Sequence, residues 1–278
     1  TLARLLGNHV GATLGQGVII ENTGGGSGVP AALNVARAAP DGYTILITSN
    51  TTHASNQSML KRVPYDAVAD FEPISKLGTI TLALVGHPSV PANNVQELIA
   101  YAKANPDKLA FGYGQGTAPQ LVGEWFNKTN GLAIASVPYK GGMQAVTDMM
   151  TGAIQLNIGT TATLLPLIRE GKIRAIAQWG ATREPELPDV PTMIESGFPG
   201  LSLGFWAGLW APAGTPQAVI DTLNAATNRV LDTPETRTAM HRLGVAPRIG
   251  TPKDFADFIA AEAPKWQRIV EASGVQIN

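Results

Sequence analysis

The chain has 278 residues, a net charge of -1 and 15% charged residues, a length that accommodates one large domain or two smaller ones around sizeable cores. Near-neutral charge without a Lys/Arg cluster excludes an electrostatic case for nucleic acid or an anionic membrane surface. With no cysteine there are no disulfides, thiolate metal sites or Cys nucleophiles, and no apolar run approaches the roughly 18 residues of a membrane helix.

Leu2, Leu5, Leu6 and Val10 recur at helical spacing, and Gly15 ends that helix. Val18 to Ile20 reads as a strand. Asn22 to Gly28, with four glycines, reads as a mobile connector whose amides would suit an anion. Pro30 to Ala39 is a small-residue helix stopped by the turn signal Pro40-Asp-Gly42. Tyr43 to Thr48 is a buried strand that runs into five hydrogen-bonding side chains, Ser49-Asn-Thr-Thr-His53.

Val63 to Asp66 and Asp70 to Pro73 read as extended linkers, and Thr79 to Val85 as a longer strand. Asn93 or Asn94 caps a helix with Val95, Leu98 and Ile99 inward. The most ordered stretch is Lys108 to Phe126. Leu109 to Gly112 is a buried strand, Gly114, Gly116 and Thr117 form a tight polar turn, and a helix begins at Ala118. A strand feeding a helix through such a turn leaves amide donors at the positive end of a helix dipole, a setting that binds anions. An ordinary strand-to-helix connection has the same spacing, and no Gly-Lys-Ser/Thr follows to make it a Walker loop.

Two further strand-to-helix junctions and one more strand follow. Ala135 to Pro138 leads into Tyr139-Lys-Gly-Gly142, Ile154 to Ile158 into Gly159-Thr-Thr161, and Arg174 to Gln178 ends at Trp179. Arg183 to Pro191 is a rigid polar loop. Leu203 to Trp210 is an apolar strand. Thr215 with Pro216 opens a helix, Asp232-Thr-Pro234 opens a second, and Thr251-Pro-Lys-Asp254 has capping-box form at the head of the C-terminal helix. Alternating strands and helices argue for α/β layers with mostly parallel sheets. If the last helices rejoin the N-terminal sheet, the middle of the chain is a second domain.

The four histidines are scattered without metal spacing, and no nucleophile elbow or His-Glu-x-x-His occurs. No catalytic set emerges, and no cofactor or metal is expected. Asp148 reads as a surface acid, Lys140 as a solvated lysine, and Phe205 and Trp206 as core. What stands out is neutral: amides and hydroxyls at Ser49–Thr52, Gly114–Thr117, Tyr139–Gly142 and Gly159–Thr161. Ligands of parallel α/β sheets collect at such strand ends, and uncharged donors hold a small carboxylate without burying a counter-ion.

Five segments, in order, carry a resemblance to a family: Ala38-Ala-Pro-Asp-Gly-Tyr-Thr44, Pro64-Tyr-Asp66 with Asp70-Phe71, Val137-Pro-Tyr-Lys-Gly141, Leu187-Pro-Asp-Val-Pro-Thr192 and Ala211-Pro-Ala-Gly-Thr-Pro216. The chain resembles the substrate-binding proteins of tripartite tricarboxylate transporters, the Bug family, over essentially its whole length. The resemblance implies a two-domain periplasmic-binding-protein fold of the Venus-flytrap, type II kind with two crossing strands. Residues 1–86 and 206–278 would form domain 1 and residues 87–205 domain 2. It implies a periplasmic, monomeric binding protein without catalysis, closing on a small carboxylate for delivery to a membrane permease. A sensor with a signalling partner and an α/β enzyme with an unrecognised site are the alternatives. Carried over by position, the ligand contacts fall on Ser49, Thr51, Thr52, Gly114, Gly116, Thr117, Tyr139, Gly141 and Thr160, with Phe205 and Trp206 in the cleft-lining region.

Three departures from the family pattern accompany the resemblance. The family ordinarily places an export signal, a first strand and a Pro/Gly-rich loop before the helix matching Leu2 to Leu14, so one carboxylate-holding loop is expected outside this sequence. Gln120 stands where many members have His or a similar polar residue. Many carry an Asp near Gly159, which favours an amino group, and its absence points away from an amino-acid ligand.

Overall fold

The computed structural model describes residues 2–201 and 205–277. In chain order the helices are α1 (Leu2–Leu14), α2 (Val29–Ala36), α3 (Asn56–Met59), α4 (Val95–Ala104), α5 (Ala118–Asn130), α6 (Gly142–Met150), α7 (Thr161–Arg169), α8 (Gln217–Leu231), α9 (Pro234–Arg242) and α10 (Pro252–Ser273). The strands are β1 (Leu46–Ser49), β2 (Phe71–Ile80), β3 (Leu82–Gly86), β4 (Ala110–Gly114), β5 (Ala135–Tyr139), β6 (Leu156–Thr160), β7 (Arg174–Trp179), β8 (Phe205–Pro212) and β9 (Val245–Pro247). The expected start of β8 at Leu203 lies outside the described residues.

Two compact units result: Thr1–Ile80 with Phe205–Gln267 and Gln276–Asn278, and Thr81–Gly204 with Arg268–Val275. The first crossing comes after Ile80, earlier than the Gly86 read from sequence, because β3 pairs with β6 and β7 in the second sheet. The last turns of α10 are grouped with the second unit, although the helix begins in the first.

The first sheet has the order β1-β8-β2-β9, and each neighbouring pair is antiparallel. The second has the order β5-β4-β6-β3-β7. There β4 runs parallel to β5 and to β6, while β3 runs against β6 and β7. The expectation of mostly parallel sheets therefore holds only for β5, β4 and β6. Hydrophobic periodicity reveals that a strand exists but not the direction of its partner.

In the first unit β8 is buried along its whole length. Ala207, Leu209 and Ala211 pack with Ile74, Leu77, Ile220, Leu223 and Val230 from β2 and α8. Trp206 and Trp210 instead meet Phe255 of α10. Gly208 sits between them, where a Cβ would lie 2.1 Å from Phe255 Cζ. The second unit packs Ala83 and Val85 of β3 with Val146, Met149, Leu164 and Ile173.

Capping follows the sequence in several places. Asn94 Oδ1 accepts from Glu97 N at 2.9 Å, and Thr233 Oγ1 from Thr236 N at 3.2 Å. Thr251 and Asp254 make the reciprocal capping box: Thr251 N donates to Asp254 Oδ2 and Asp254 N to Thr251 Oγ1. Thr215 departs from expectation. Its hydroxyl donates to Pro212 O, and Pro216 occupies the cap of α8.

Val18 to Ile20 is no strand in the structure. Ile19 is 88% exposed, and a Cβ on Gly7 of α1 would come within 3.0 Å of Ile20 Cδ1 and 3.1 Å of Val18 Cγ1. The helix thus accepts this segment through a glycine rather than the sheet through a ladder. Asp70 to Pro73, read as a linker, leads directly into β2, which begins at Phe71.

Candidate functional site

In the second unit three adjacent parallel strands end at one sheet edge. Gly114 of β4 lies opposite Tyr139 of β5, and Gly112 opposite Asn157 of β6. Each strand end turns into a helix: α5 after Gly114, α6 after Tyr139 and α7 directly after Thr160. Gly114, Gly116, Thr117, Tyr139, Gly141 and Thr160 are therefore gathered on one edge, with three helix N-termini.

Much of this polar machinery holds its own turn. The Thr117 hydroxyl donates to Gly114 O at 2.6 Å. The Gly116 amide, in a left-handed backbone (φ 70), donates to Gln120 Oε1 at 2.8 Å. Gln115 N donates to Tyr139 O at 3.3 Å, tying the first two turns together. The Tyr139 hydroxyl donates to Asp148 Oδ2 at 2.8 Å. Burial, followed by that carboxylate, pushes Tyr139 up to about 12. Asp148, expected as a surface acid, is thus a positioning acceptor. Thr160 and Thr163 share a hydroxyl–hydroxyl bond of 2.7 Å. Gly141 caps α6 in extended conformation, with open space where a side chain would stand.

In the first unit Ser49 ends β1 opposite Ala207 of β8. Thr51 to Ser55 then form a π-helical turn continuous with α3, a local irregularity frequent at functional sites. The Thr52 hydroxyl is buried against Thr48 Oγ1, Ser49 O and His53 Nδ1 at 2.8, 3.3 and 2.9 Å. His53 lies stacked on Trp210 at 4.0 Å between ring centroids, and burial pushes it down to about 3, so the ring is neutral.

The Gly-rich segment read as a mobile connector is tied to this turn. Asn56 Nδ2 donates to Ser27 O and to the Tyr65 hydroxyl, each at 3.0 Å, and Tyr65 donates to Thr52 O at 2.9 Å. A Cβ on Gly28 would meet Thr52 Cγ2 at 2.8 Å. Spacing alone carries no signal for this tether, because Asn56 and Tyr65 look like ordinary helix and linker residues.

Phe205 and Trp206 are buried, at 4% and 0% exposure. Phe205 sets its edge on Trp266, and Trp206 packs on Trp210, Phe255 and Phe258. Their surroundings are those of core side chains, the role their apolar strand favours. Two buried amides of core strands escaped the sequence reading, Asn157 in β6 and Gln178 in β7. Neither stands in a motif; only its placement in a core strand sets it apart.

Among the described residues no group of three His, Cys, Asp or Glu is placed to hold a metal, and no helix is long and apolar enough to cross a membrane.

Comparison with known proteins identifies the family. Residues 2–275 match the tripartite tricarboxylate transporter family receptor. BugT of Bordetella pertussis is 34% identical over 279 residues, covering 100% of this chain and 86% of that protein. A solved R. palustris protein with adipate is 32% identical, with TM-score 0.90 over 99% of this chain and 92% of that one. MatC of Rhodopseudomonas palustris, solved with bound malate, is 31% identical, with TM-score 0.86 over 97% of this chain and 93% of that one.

Proposed function

Because the chain belongs to the tripartite tricarboxylate transporter receptor family and has the periplasmic-binding-protein fold, we propose that it captures a small carboxylate outside the cytoplasm and delivers it, as a monomer, to a membrane permease. The observation that carries the reading is the shared edge of β4, β5 and β6, where three helices begin. Helix N-termini favour an anion through free amides and the helix dipole. Solved relatives hold adipate and malate, acids of the class such an edge suits.

The carboxylate is received by the turns at Gly114, Gly116 and Thr117, at Tyr139 and Gly141, and at Thr160; Ser49, Thr51 and Thr52 are the remaining candidates for ligand contact that the family resemblance carries over. Neutral donors suit this task. They hold an anion without the cost of desolvating a cation (several kcal/mol per ion). Phe205 and Trp206, packed in the core of the first unit, are not assigned to ligand contact.

Titration calorimetry of the protein with mono-, di- and tricarboxylates tests the reading. Saturable heat with at least one acid is expected, and no heat across the panel refutes it.

A further inference from the structure

The core of the second unit holds a cavity of about 20 Å³ between its sheet and helices α4 and α5. Leu98 and Phe126 cover it from the helices, and Phe111 and Leu156 from the strands. Apart from Asn127 and Trp179, the rest of the wall is hydrocarbon or glycine. A single water needs about 10–15 Å³, so the volume admits one, but a wall of hydrocarbon alone would keep it out.

Asn127 and Trp179 change that balance. Trp179 is 2% exposed, and its indole N–H, which can only donate, has no acceptor among the described residues. Asn127 Nδ2 donates to Ile134 O at 2.7 Å. Only the NH2 end of a carboxamide can donate to a carbonyl, so this bond fixes the orientation of the group. Asn127 Oδ1 is left as a buried acceptor to which no described residue donates. Buried groups of either kind are ordinarily paired. Here a donor and an acceptor border one cavity and do not bond each other.

We propose that this cavity is a binding site for one ordered water, which accepts from Trp179 Nε1 and donates to Asn127 Oδ1. The volume excludes a larger molecule. No charged side chain borders the cavity, which excludes an ion, whose desolvation would go uncompensated. Two neutral partners of opposite sense suit a molecule that both accepts and donates.

The water joins elements that meet at the candidate site. Helix α5 begins just after the Gly114–Thr117 turn. Trp179 ends β7 opposite Leu82, whose other partner is Thr160. The water thus ties the helix behind one turn to the strand end near another, whatever ligand the protein takes.

Two measurements test this. Crystals of the wild-type protein are expected to show one density peak within hydrogen-bond distance of both Trp179 Nε1 and Asn127 Oδ1. In solution, the Trp179 indole proton shows a magnetic cross-relaxation peak to water, with the sign of a long-lived bound molecule. Trp179→Phe identifies the resonance by its loss. Asn127→Leu removes the acceptor and fills the cavity, and it abolishes the peak, with thermal unfolding run alongside to confirm the fold. A direct Trp179–Asn127 bond in the crystal overturns the assignment. So does the absence of the density or of the wild-type peak, or a peak that survives in folded Asn127→Leu. Should that variant not fold, the crystal and the wild-type spectrum decide.

Discussion

The Tyr139 hydroxyl donates to Asp148 Oδ2 at 2.8 Å, linking the last residue of β5 to the face of α6, the helix that β5 feeds. The bond fixes the ring at the edge where β4, β5 and β6 end. It also works against ionisation, because a phenolate would face a carboxylate. Burial and Asp148 together push Tyr139 up to about 12. A raised phenol contributes stability that is fully present below its unfolded value near 10 and is lost as pH rises through about 12. Asp148→Asn removes the carboxylate's share, so the phenol ionises closer to 10. Phenolate absorbance during an alkaline titration checks this, and an unmoved midpoint assigns the whole shift to burial.

His53 behaves in the opposite sense. Its folded value is pushed down to about 3 by burial, so the unfolded chain takes up a proton that the folded chain refuses. Stability from the neutral ring is present above about 6.5 and is lost as pH falls from there towards about 3. The integrated effect is on the order of 5 kcal/mol. His53→Gln flattens the pH dependence of urea unfolding across that window, whatever it does to stability at neutral pH. A wild-type acid limb that persists in the variant contradicts this account.

Gln120 is predicted to act on the turn rather than on the ligand. Its Oε1 takes the Gly116 amide at 2.8 Å. Gln120→Leu leaves that buried donor without an acceptor and costs about 1–3 kcal/mol in urea unfolding. Thr117→Val, which loses the 2.6 Å bond to Gly114 O, costs about 1 kcal/mol. If both variants unfold with the wild type, the turn is held by the backbone alone.

Gly208 is predicted to tolerate no side chain. A Cβ would stand 2.1 Å from Phe255 Cζ and 2.7 Å from Trp210 Cη2. Both rings are packed in the core of the first unit, so neither can give way cheaply. Gly208→Ala costs about 1–3 kcal/mol by overpacking. Phe255→Leu in the same chain relieves part of the loss, and calorimetric unfolding of the single and double variants reads the coupling.

Where the chain signals through its own neighbours, sequence and structure agree. The strand, turn and helix at Ala110–Asn130, the Thr251–Asp254 capping box and the Thr233 cap depend on residues within a few positions of one another. Where a distant partner decides, the reading falls short. Pro73 made the start of β2 look like a linker, since proline lacks an N–H for a ladder. The strand accommodates it at an irregularity, with the register against β8 shifting between Pro73 and Ser75. Val18 to Ile20 has strand composition but finds helix α1 instead of a sheet. At the candidate site, the convergence of three strand ends follows from alternation and Gly-rich turns. That Thr117 is occupied by Gly114, and Tyr139 by Asp148, is set by side-chain geometry that no spacing encodes.

Gln178 is wholly buried in β7, and its carboxamide makes three bonds to the polar stretch that follows. It donates to Leu187 O and Val190 O at 3.0 and 2.6 Å and accepts from Glu184 N at 2.7 Å. An exposed polar loop of this length is where proteases ordinarily make their first cut. Here the peptide is riveted to a sheet strand from inside, so it fits an extended protease active site only after β7 itself lets go. The segment thereby acquires the lifetime of the sheet, and a loop on the surface behaves as part of the wall.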